Sequence, residues 1–216
     1  MTDTVPSALR DATSALVADA LDALGLREQT AHSRVKPLFK GARIVGRVYP
    51  VSVIEDLEEP EEPYAGEMDA LAAMSPGDVG VYAVGQGSRA AAWGELFSCG
   101  AIGRGAVGAV VDGCVRDAKQ IEELGFPVFA ADTSPLDTRA RARVDAHGAP
   151  MVFAGVSVSR GDLIVADVDG VIFVPSTAVN SVAALVAEKK PLEQGAREDL
   201  IAGMHIRDVW TKYGVF

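Results

Sequence analysis

Two short stretches of this 216-residue chain place groups capable of chemistry where a strand gives way to a helix. In Trp93-Gly94-Glu95-Leu96-Phe97 a glycine and an acid precede a helical run. The first backbone N–H groups of a helix have no intrahelical partner, so a helix start of this kind can receive a carboxylate, and a glycine such as Gly94 lets a ligand approach the backbone closely. In Val111-Asp112-Gly113-Cys114-Val115-Arg116-Asp117 a guanidinium and a carboxylate stand on consecutive residues. The donor fork of Arg116 can bind a carboxylate or enolate oxygen, and Asp117 can ligate a hard cation such as magnesium or manganese. The pairing suits a small 2-oxo acid. Singly, each residue also has an ordinary structural explanation: Glu95 as an acid at the positive end of a helix dipole, Asp117 as a helix N-cap, Arg116 as a solvated charge.

Other constellations do not assemble. Gly85-Gln86-Gly87 begins like a dinucleotide loop, but the next matching position is Ala90, and the Gly-Lys-Ser/Thr of a P-loop is missing. His32, His147 and His205 are far apart in sequence and accompany neither a Gly-x-Ser-x-Gly elbow nor an HExxH. Cys99 and Cys114 have no zinc spacing and read as small core residues. Asp167 and Asp169, in VADVDGVIF, read as turn residues between two strand halves.

The elements that must position the two stretches form the best-organised part of the chain. Segments 79–85, 91–105, 106–113, 116–125 and 126–132 alternate strand, helix, strand, helix, strand. Continuous apolar strands joined by such crossovers indicate a parallel sheet covered by helices, with ligands bound outside the carboxyl ends of the strands. The turns at Gly85–Phe97 and Val111–Asp117 lie there. Before this unit, Leu9, Leu16, Val17, Leu21 and Leu24 predict one amphipathic helix between Pro6 and Gly25, with Gly25 ending it in a left-handed conformation. ARIVGRVYPVSVI, residues 42–54, predicts one long strand or a strand bent at Pro50. SPGDVGVYAVG (75–85) and SRGDLIVADVDGVIFVP (159–175) each put Gly-Asp in a turn before an apolar strand. Residues from 177 to about 202 read as a charged helix, and the closing HIRDVWTKYGVF is expected to dock on the body or on a neighbouring subunit.

Composition narrows the partners. The length suits a single domain over 1–216, no linker divides it, and no run approaches the roughly 18 apolar residues of a membrane span. A net charge of −10 with no basic stripe argues against nucleic acid. The start does not read as a signal peptide, so a soluble cytoplasmic protein is expected. Much of the acid sits in EDLEEPEEPYAGEMD, from Glu55 to Asp69, which reads as a solvated surface loop.

WGELFSCGAIGRGAVGAVVDGCVRD resembles the family of the 4-hydroxy-4-methyl-2-oxoglutarate/4-carboxy-4-hydroxy-2-oxoadipate aldolases and the regulator of ribonuclease activity A, in which an acid is followed after twenty residues by Arg-Asp, here Glu95 and Arg116-Asp117. The resemblance extends to SPLDTRARARV and to FAGVSVSRGDLIVADVDGVIFVP. It implies an α/β fold, an α-β-β-α sandwich of the swivelling type, assembled as a homotrimer or a pair of trimers with sites between subunits. It further implies Asp117 as direct ligand of Mg2+ or Mn2+, Glu95 as holder of metal-bound water, Arg116 as the pyruvate contact, and Leu96 and Phe97 as the carboxylate pocket. The acid that follows Arg-Asp after two to four positions is matched by Glu122, and Glu193 or Glu198 is placed to supply a C-terminal acid from the adjacent subunit. Ala140 stands where a glycine is usual. The implied activity is that of a class II pyruvate aldolase or an oxaloacetate decarboxylase. The alternative is a non-catalytic regulator binding a ribonuclease or helicase. A menaquinone methyltransferase is disfavoured, since no glycine-rich methyl-donor loop follows a first strand.

Overall fold

The computed structural model describes residues 5–32, 34–85 and 87–215; Gln86 of the Gly85-Gln86-Gly87 stretch and the chain's first four residues and last one lie outside them. The N-terminal half runs α1 (Ser7–Arg10), α2 (Ser14–Ala23), β1 (Lys36–Pro37), β2 (Ile44–Glu55), α3 (Ala65–Ala72), β3 (Asp78–Val84), β4 (Ala91–Trp93) and α4 (Glu95–Gly103). It continues with β5 (Gly108–Val115), α5 (Ala118–Leu124), β6 (Val128–Thr133), β7 (Ala142–His147), β8 (Met151–Phe153), β9 (Val156–Val158), β10 (Leu163–Ala166), β11 (Val171–Val174), α6 (Val179–Ile201) and α7 (Ile206–Tyr213).

The predicted βαβαβ unit is present: β3, β5 and β6 are parallel neighbours with α4 and α5 as crossovers. They belong to a mixed sheet in the order β1-β6-β5-β3-β2-β10-β11, with β4 on β5, β7 on β2, and a separate β8-β9 hairpin. The long strand β2 is continuous through Pro50 and joins the parallel part to the antiparallel part, pairing β10 through Ile44–Arg47 and β3 through Arg47–Val53. Alternating side chains divide the core into three layers. Ile44, Val48, Val81, Val110, Ile164 and Phe173 share one cluster, so the sheet curls and its two ends face each other across an apolar interior. Outside it, Val51, Tyr82 and Val111 meet Ala70, Met74, Ala101 and Ile121 of the α3–α5 side. At the other end Leu163, Val165 and Ile172 meet Leu16, Val17 and Leu21 of α2 and Val182 and Val186 of α6. The layers run helix, sheet, sheet, helix, the α-β-β-α arrangement expected.

The two Gly-Asp turns share one geometry. Gly77 and Gly161 have φ of 87° and 89°, and the Asp78 and Asp162 carboxylates accept from the Ser75 and Ser159 amides, each at 2.8 Å. Asp167 is the expected turn acid, bonded by the Asp169 amide at 3.1 Å.

Three expectations are corrected, on the first helix, Cys99 and the acidic stretch, and one with two alternatives, on the closing residues, is decided. The first helix is two: Thr13 caps α2 by accepting from the Leu16 amide, and the amide and hydroxyl of Ser14 donate to Asp167 at 2.7 and 2.6 Å, which holds the chain out of helix at residues 11–13. Gly25 does follow in left-handed geometry, φ 76°. Cys99 is exposed, because α4 buries Ser98 and Ala101 and turns Cys99 the other way; Cys114 is buried. The acidic stretch is a loop only in part: from Ala65 it becomes α3, which buries Glu67 and Ala70 and brings Gly66 so close to Val144 of β7 that a Cβ would sit 3.0 Å away. The closing residues dock within the chain, α7 packing on the far end of α6 through Ala196, Leu200, Val209 and Tyr213. Among the described residues no helix is long and apolar enough to cross a membrane.

Burial pushes the Glu67 carboxyl above its usual range, against the Thr138 hydrogen bond that favours the anion. The folded state therefore holds this proton more tightly than the unfolded chain, and stability attributable to Glu67 falls as pH rises through the shifted range. Glu67→Gln is expected to raise the melting temperature at neutral pH, with the gain vanishing below about pH 3, where the carboxyl is protonated in both states. Ala140, at the position where glycine is usual, has φ 53°. Ala140→Gly is expected to stabilise by roughly 0.5–1 kcal/mol in urea unfolding, because a Cβ is strained in the left-handed region.

Candidate active site

The two stretches singled out in the sequence meet at the carboxyl end of β5. The short strand β4 runs parallel to β5, pairing Ala91 with Cys114 and Trp93 with Val115, and the Arg116 amide donates to the Trp93 carbonyl at 3.0 Å. This register sets Gly94 against Arg116 and Asp117. A Cβ on Gly94 would lie 2.8 Å from Asp117 Oδ2 and 3.2 Å from Arg116 Cγ, so this position is reserved for glycine by contact, its φ of −161° being open to any residue. The fully buried Trp93 fixes the start of α4: its Nε1 donates to Ser98 Oγ at 2.8 Å, and Ser98 Oγ donates to the Gly94 carbonyl at 3.0 Å.

Asp117 precedes α5 with φ 58° and ψ 35°, the left-handed region that a side chain disfavours by about 1–2 kcal/mol. Its carboxylate makes no cap on its own helix. Instead Oδ2 accepts from the Glu95 amide, the first N–H of α4, at 3.2 Å, so the reading of Asp117 as an N-cap fails for α5. The first backbone bond of α4 runs from the Ser98 amide to the Gly94 carbonyl at 3.1 Å, which leaves the Leu96 and Phe97 amides outside the helical ladder, as a carboxylate pocket requires. Arg116 is no freely solvated charge: Nε lies 3.6 Å from Asp117 Oδ2 and Nη1 lies 3.2 Å from Asp137 Oδ2. Arg116 and Asp117 border a cavity of about 270 Å³ that is also lined by Ala118, Thr133, Ser134 and Pro135. Two larger hollows, one of about 490 Å³ beside Arg34 and Asp112 and one of about 450 Å³ between α2 and α6, also carry an arginine and a carboxylate but lie away from the Arg116-Asp117 pair.

Asp137 and Tyr64 carried no role in the sequence reading. Tyr64 Oη donates to Asp137 Oδ2 at 2.8 Å, joining the acidic stretch to the SPLDTRARARV stretch and, through Asp137, to Arg116. The signal available was the aspartate of SPLD, residues 134–137, directly after the end of β6. Glu122 is exposed on α5. Glu193 pairs with Lys189 at 3.6 Å and lines the cavity between α2 and α6, which shares no residue with the Arg116 cavity. One chain therefore does not bring Glu193 to Asp117. Glu198 accepts from Gln194 at 2.6 Å on the same helix.

Among the described residues no three His, Cys, Asp or Glu side chains gather as a metal cluster. A cation such as magnesium keeps several waters and takes only one or two carboxylates, and Asp117, half-exposed, with Oδ1 unbonded among the described residues and Glu95 at the adjoining helix start, fits that limited demand.

A curled α/β sheet carrying an Arg-Asp pair opposite a helix start defines the class: the chain belongs to the RraA-like family, Aldolase/RraA, whose model matches residues 14–173. Over 187 residues, 86% of this chain and 83% of the relative, it is 34% identical to a Halalkalibacterium halodurans protein named "Putative 4-hydroxy-4-methyl-2-oxoglutarate aldolase". It is 35% identical to the uncharacterized protein MJ0644 of Methanocaldococcus jannaschii over 58% of this chain; the match spans only 61% of that relative. The crystal structure of Streptomyces coelicolor RraAS2, described as an unusual member of the RNase ES inhibitor RraA family, superposes with a TM-score of 0.79 at 25% identity, covering 89% of this chain and 95% of that one.

Gly94→Ala is expected to retain the fold and to displace the Asp117 carboxylate, which breaks its bond to the Glu95 amide; circular dichroism checks the first half and a crystal structure of the variant the second.

Proposed function

We propose that this protein is a divalent-cation-dependent lyase that breaks a C–C bond in a small 2-oxo acid and releases pyruvate. The observation that carries the reading is the meeting of Arg116, Asp117 and the start of α4, and the name of the Halalkalibacterium halodurans relative supports it. A pyruvoyl group is held at both ends: the Leu96 and Phe97 amides receive the carboxylate, and the Arg116 guanidinium faces the ketone oxygen. Asp117, with Glu95 beside it, would hold Mg2+ or Mn2+, which when bound supplies Lewis-acid stabilisation of the developing charge, worth several kcal/mol.

In retro-aldol cleavage of 4-hydroxy-4-methyl-2-oxoglutarate the C4 hydroxyl loses its proton, the C3–C4 bond breaks, and its electron pair moves toward the ketone oxygen. One pyruvate leaves directly, and the other is an enolate that takes a proton at C3. Arg116 stabilises the enolate oxygen, and Glu95 is the carboxylate placed to hold and return the proton. Oxaloacetate makes the same enolate by losing carbon dioxide and needs no base. Decarboxylation therefore demands fewer of these residues than aldol cleavage. Assembly as a trimer or hexamer, which would bring Glu193 to a neighbour's crevice, is part of the same reading; the exposed Ile201, Ile206 and Trp210 at the α6–α7 end support a subunit contact.

Pyruvate release from oxaloacetate and from 4-hydroxy-4-methyl-2-oxoglutarate, with and without chelator, tests this. Asp117→Ala is expected to abolish cation-dependent turnover, and Arg116→Ala to lower kcat/KM by at least ~2 kcal/mol of transition-state binding. Wild-type rates in both variants would remove Arg116 and Asp117 from the site, whereas silence of the native protein on both substrates together with recovery of a ribonuclease would replace the lyase by a regulator of the kind the RraAS2 description names.

A further inference from the structure

Arg116 stands between two carboxylates that are held very differently. Asp117 has one oxygen on the Glu95 amide and the other unbonded. Asp137 is filled: Oδ2 accepts from Tyr64 Oη at 2.8 Å and faces Arg116 Nη1 at 3.2 Å, while Oδ1 faces Thr138 Oγ1 at 3.4 Å and the Arg139 amide at 3.3 Å. A carboxylate engaged on both oxygens is a fixed anchor, and one engaged on a single oxygen is free to serve something else. Burial would raise the Asp137 carboxyl, but the hydrogen bonds from Tyr64, Arg139 and Arg116 outweigh it and hold it below the usual range, so it stays charged.

The backbone around this anchor is strained in the same place. Four described non-glycine residues have positive φ; two of them, Tyr64 and Asp117, contact the Asp137–Arg116 pair, and a third, Ala140, follows Asp137 by three residues. Tyr64, at φ 64°, sits immediately before α3 and reaches Asp137 from the acidic stretch 73 residues earlier. Left-handed conformations persist in non-glycine residues where the surroundings over-determine them, and such clusters mark functional geometry. With Asp117 Oδ2 only 3.6 Å from its Nε, an unrestrained Arg116 would close onto Asp117 and neutralise it.

We propose that Asp137, braced by Tyr64, is the positioning residue for Arg116: it holds the guanidinium over the crevice and keeps it from closing onto Asp117. Nη2, the nitrogen with no carboxylate partner among the described residues, is thereby left for the substrate's oxygen. The acidic stretch enters the reaction's architecture through Tyr64. This assignment rests on the proposed lyase function for its consequence in turnover, and on the geometry alone for the clamp itself.

The test pairs steady-state kinetics on oxaloacetate under magnesium with the arginine Nε–H signals in nitrogen-15 NMR, using the full chain as wild type, Asp137→Asn, Asp137→Glu and Tyr64→Phe. The Arg116 signal is assigned by its loss in Arg116→Lys. Asp137→Asn is expected to raise KM about tenfold with a much smaller change in kcat, as loss of a charge-assisted contact predicts. Asp137→Glu restores part of the loss, Tyr64→Phe raises KM about threefold, the scale of a neutral hydrogen bond, and the Arg116 Nε–H signal shifts or broadens in Asp137→Asn. Unchanged KM in folded Asp137→Asn, or an equal collapse of kcat in the Asn and Glu variants with KM unaltered, overturns the proposal. If the wild type turns nothing over, the lyase reading falls and the NMR signal decides the clamp: its disappearance from the wild-type position in Asp137→Asn supports it, and its persistence there overturns it.

Discussion

One hydrogen bond organises the crevice: the Asp117 carboxylate accepts from the first amide of α4 rather than from the helix that Asp117 itself begins. That bond spans two crossovers of the parallel sheet, and it forms only because β4 and β5 run side by side and bring Trp93 to Val115. It explains the glycine at position 94, whose missing Cβ leaves the carboxylate its place, and the left-handed backbone of Asp117, which turns the side chain across the gap. It also binds together the two structures a keto acid needs, an anion-receiving helix end and an acid beside a guanidinium. A residue that capped its own helix would supply neither the coupling nor the open oxygen.

The same arrangement accounts for what the sequence revealed and what it hid. Glu95, Arg116 and Asp117 were visible because each lies at the end of a strand in a βαβαβ alternation, and the position of such ends follows from local patterning alone. The Gly-Asp turns were visible for the same reason: Asp78 and Asp162 bond to residues three positions back. Asp137 and Tyr64 were not, since their contact crosses 73 residues and depends on how α3 meets β7, which no local period encodes. The break in the first helix was hidden likewise, because its cause is Asp167, 153 residues away from Ser14. The exposure of Cys99 depended on phase rather than distance: one step along α4 from the buried Ser98 was enough to turn it outward.

Charge in this chain is less a coating than a set of local tethers. The −10 balance suggests mutual repulsion, yet three carboxylates of the two stretches that meet at Tyr64 and Asp137 are tied down, Asp137 by Tyr64 and Arg116, Glu59 by Arg139, and Asp56 by Arg143 at 2.8 Å. The pairs on the exposed arginines contribute little to stability by themselves, because solvent screens them. Their value is directional: they draw the stretch after β2 against the stretch before β7, which is how a segment dense in acid comes to lie beside the crevice.

The long strand β2 has a consequence of another kind. Its even-numbered residues Ile44 and Val48 enter the interior between the sheet ends, while its odd-numbered Tyr49, Val51 and Val53 enter the helix-covered layer. Deleting or inserting a single residue between Ile44 and Tyr49 would exchange the two sets, sending a tyrosine into the interior cluster and removing Tyr49, Val51 and Val53 from the layer beneath α3. A change of length is therefore absorbed after Glu55, where the chain leaves the sheet, whereas within β2 only substitution leaves the faces in place. Strand parity acts there as a reading frame, set by geometry rather than by any one side chain.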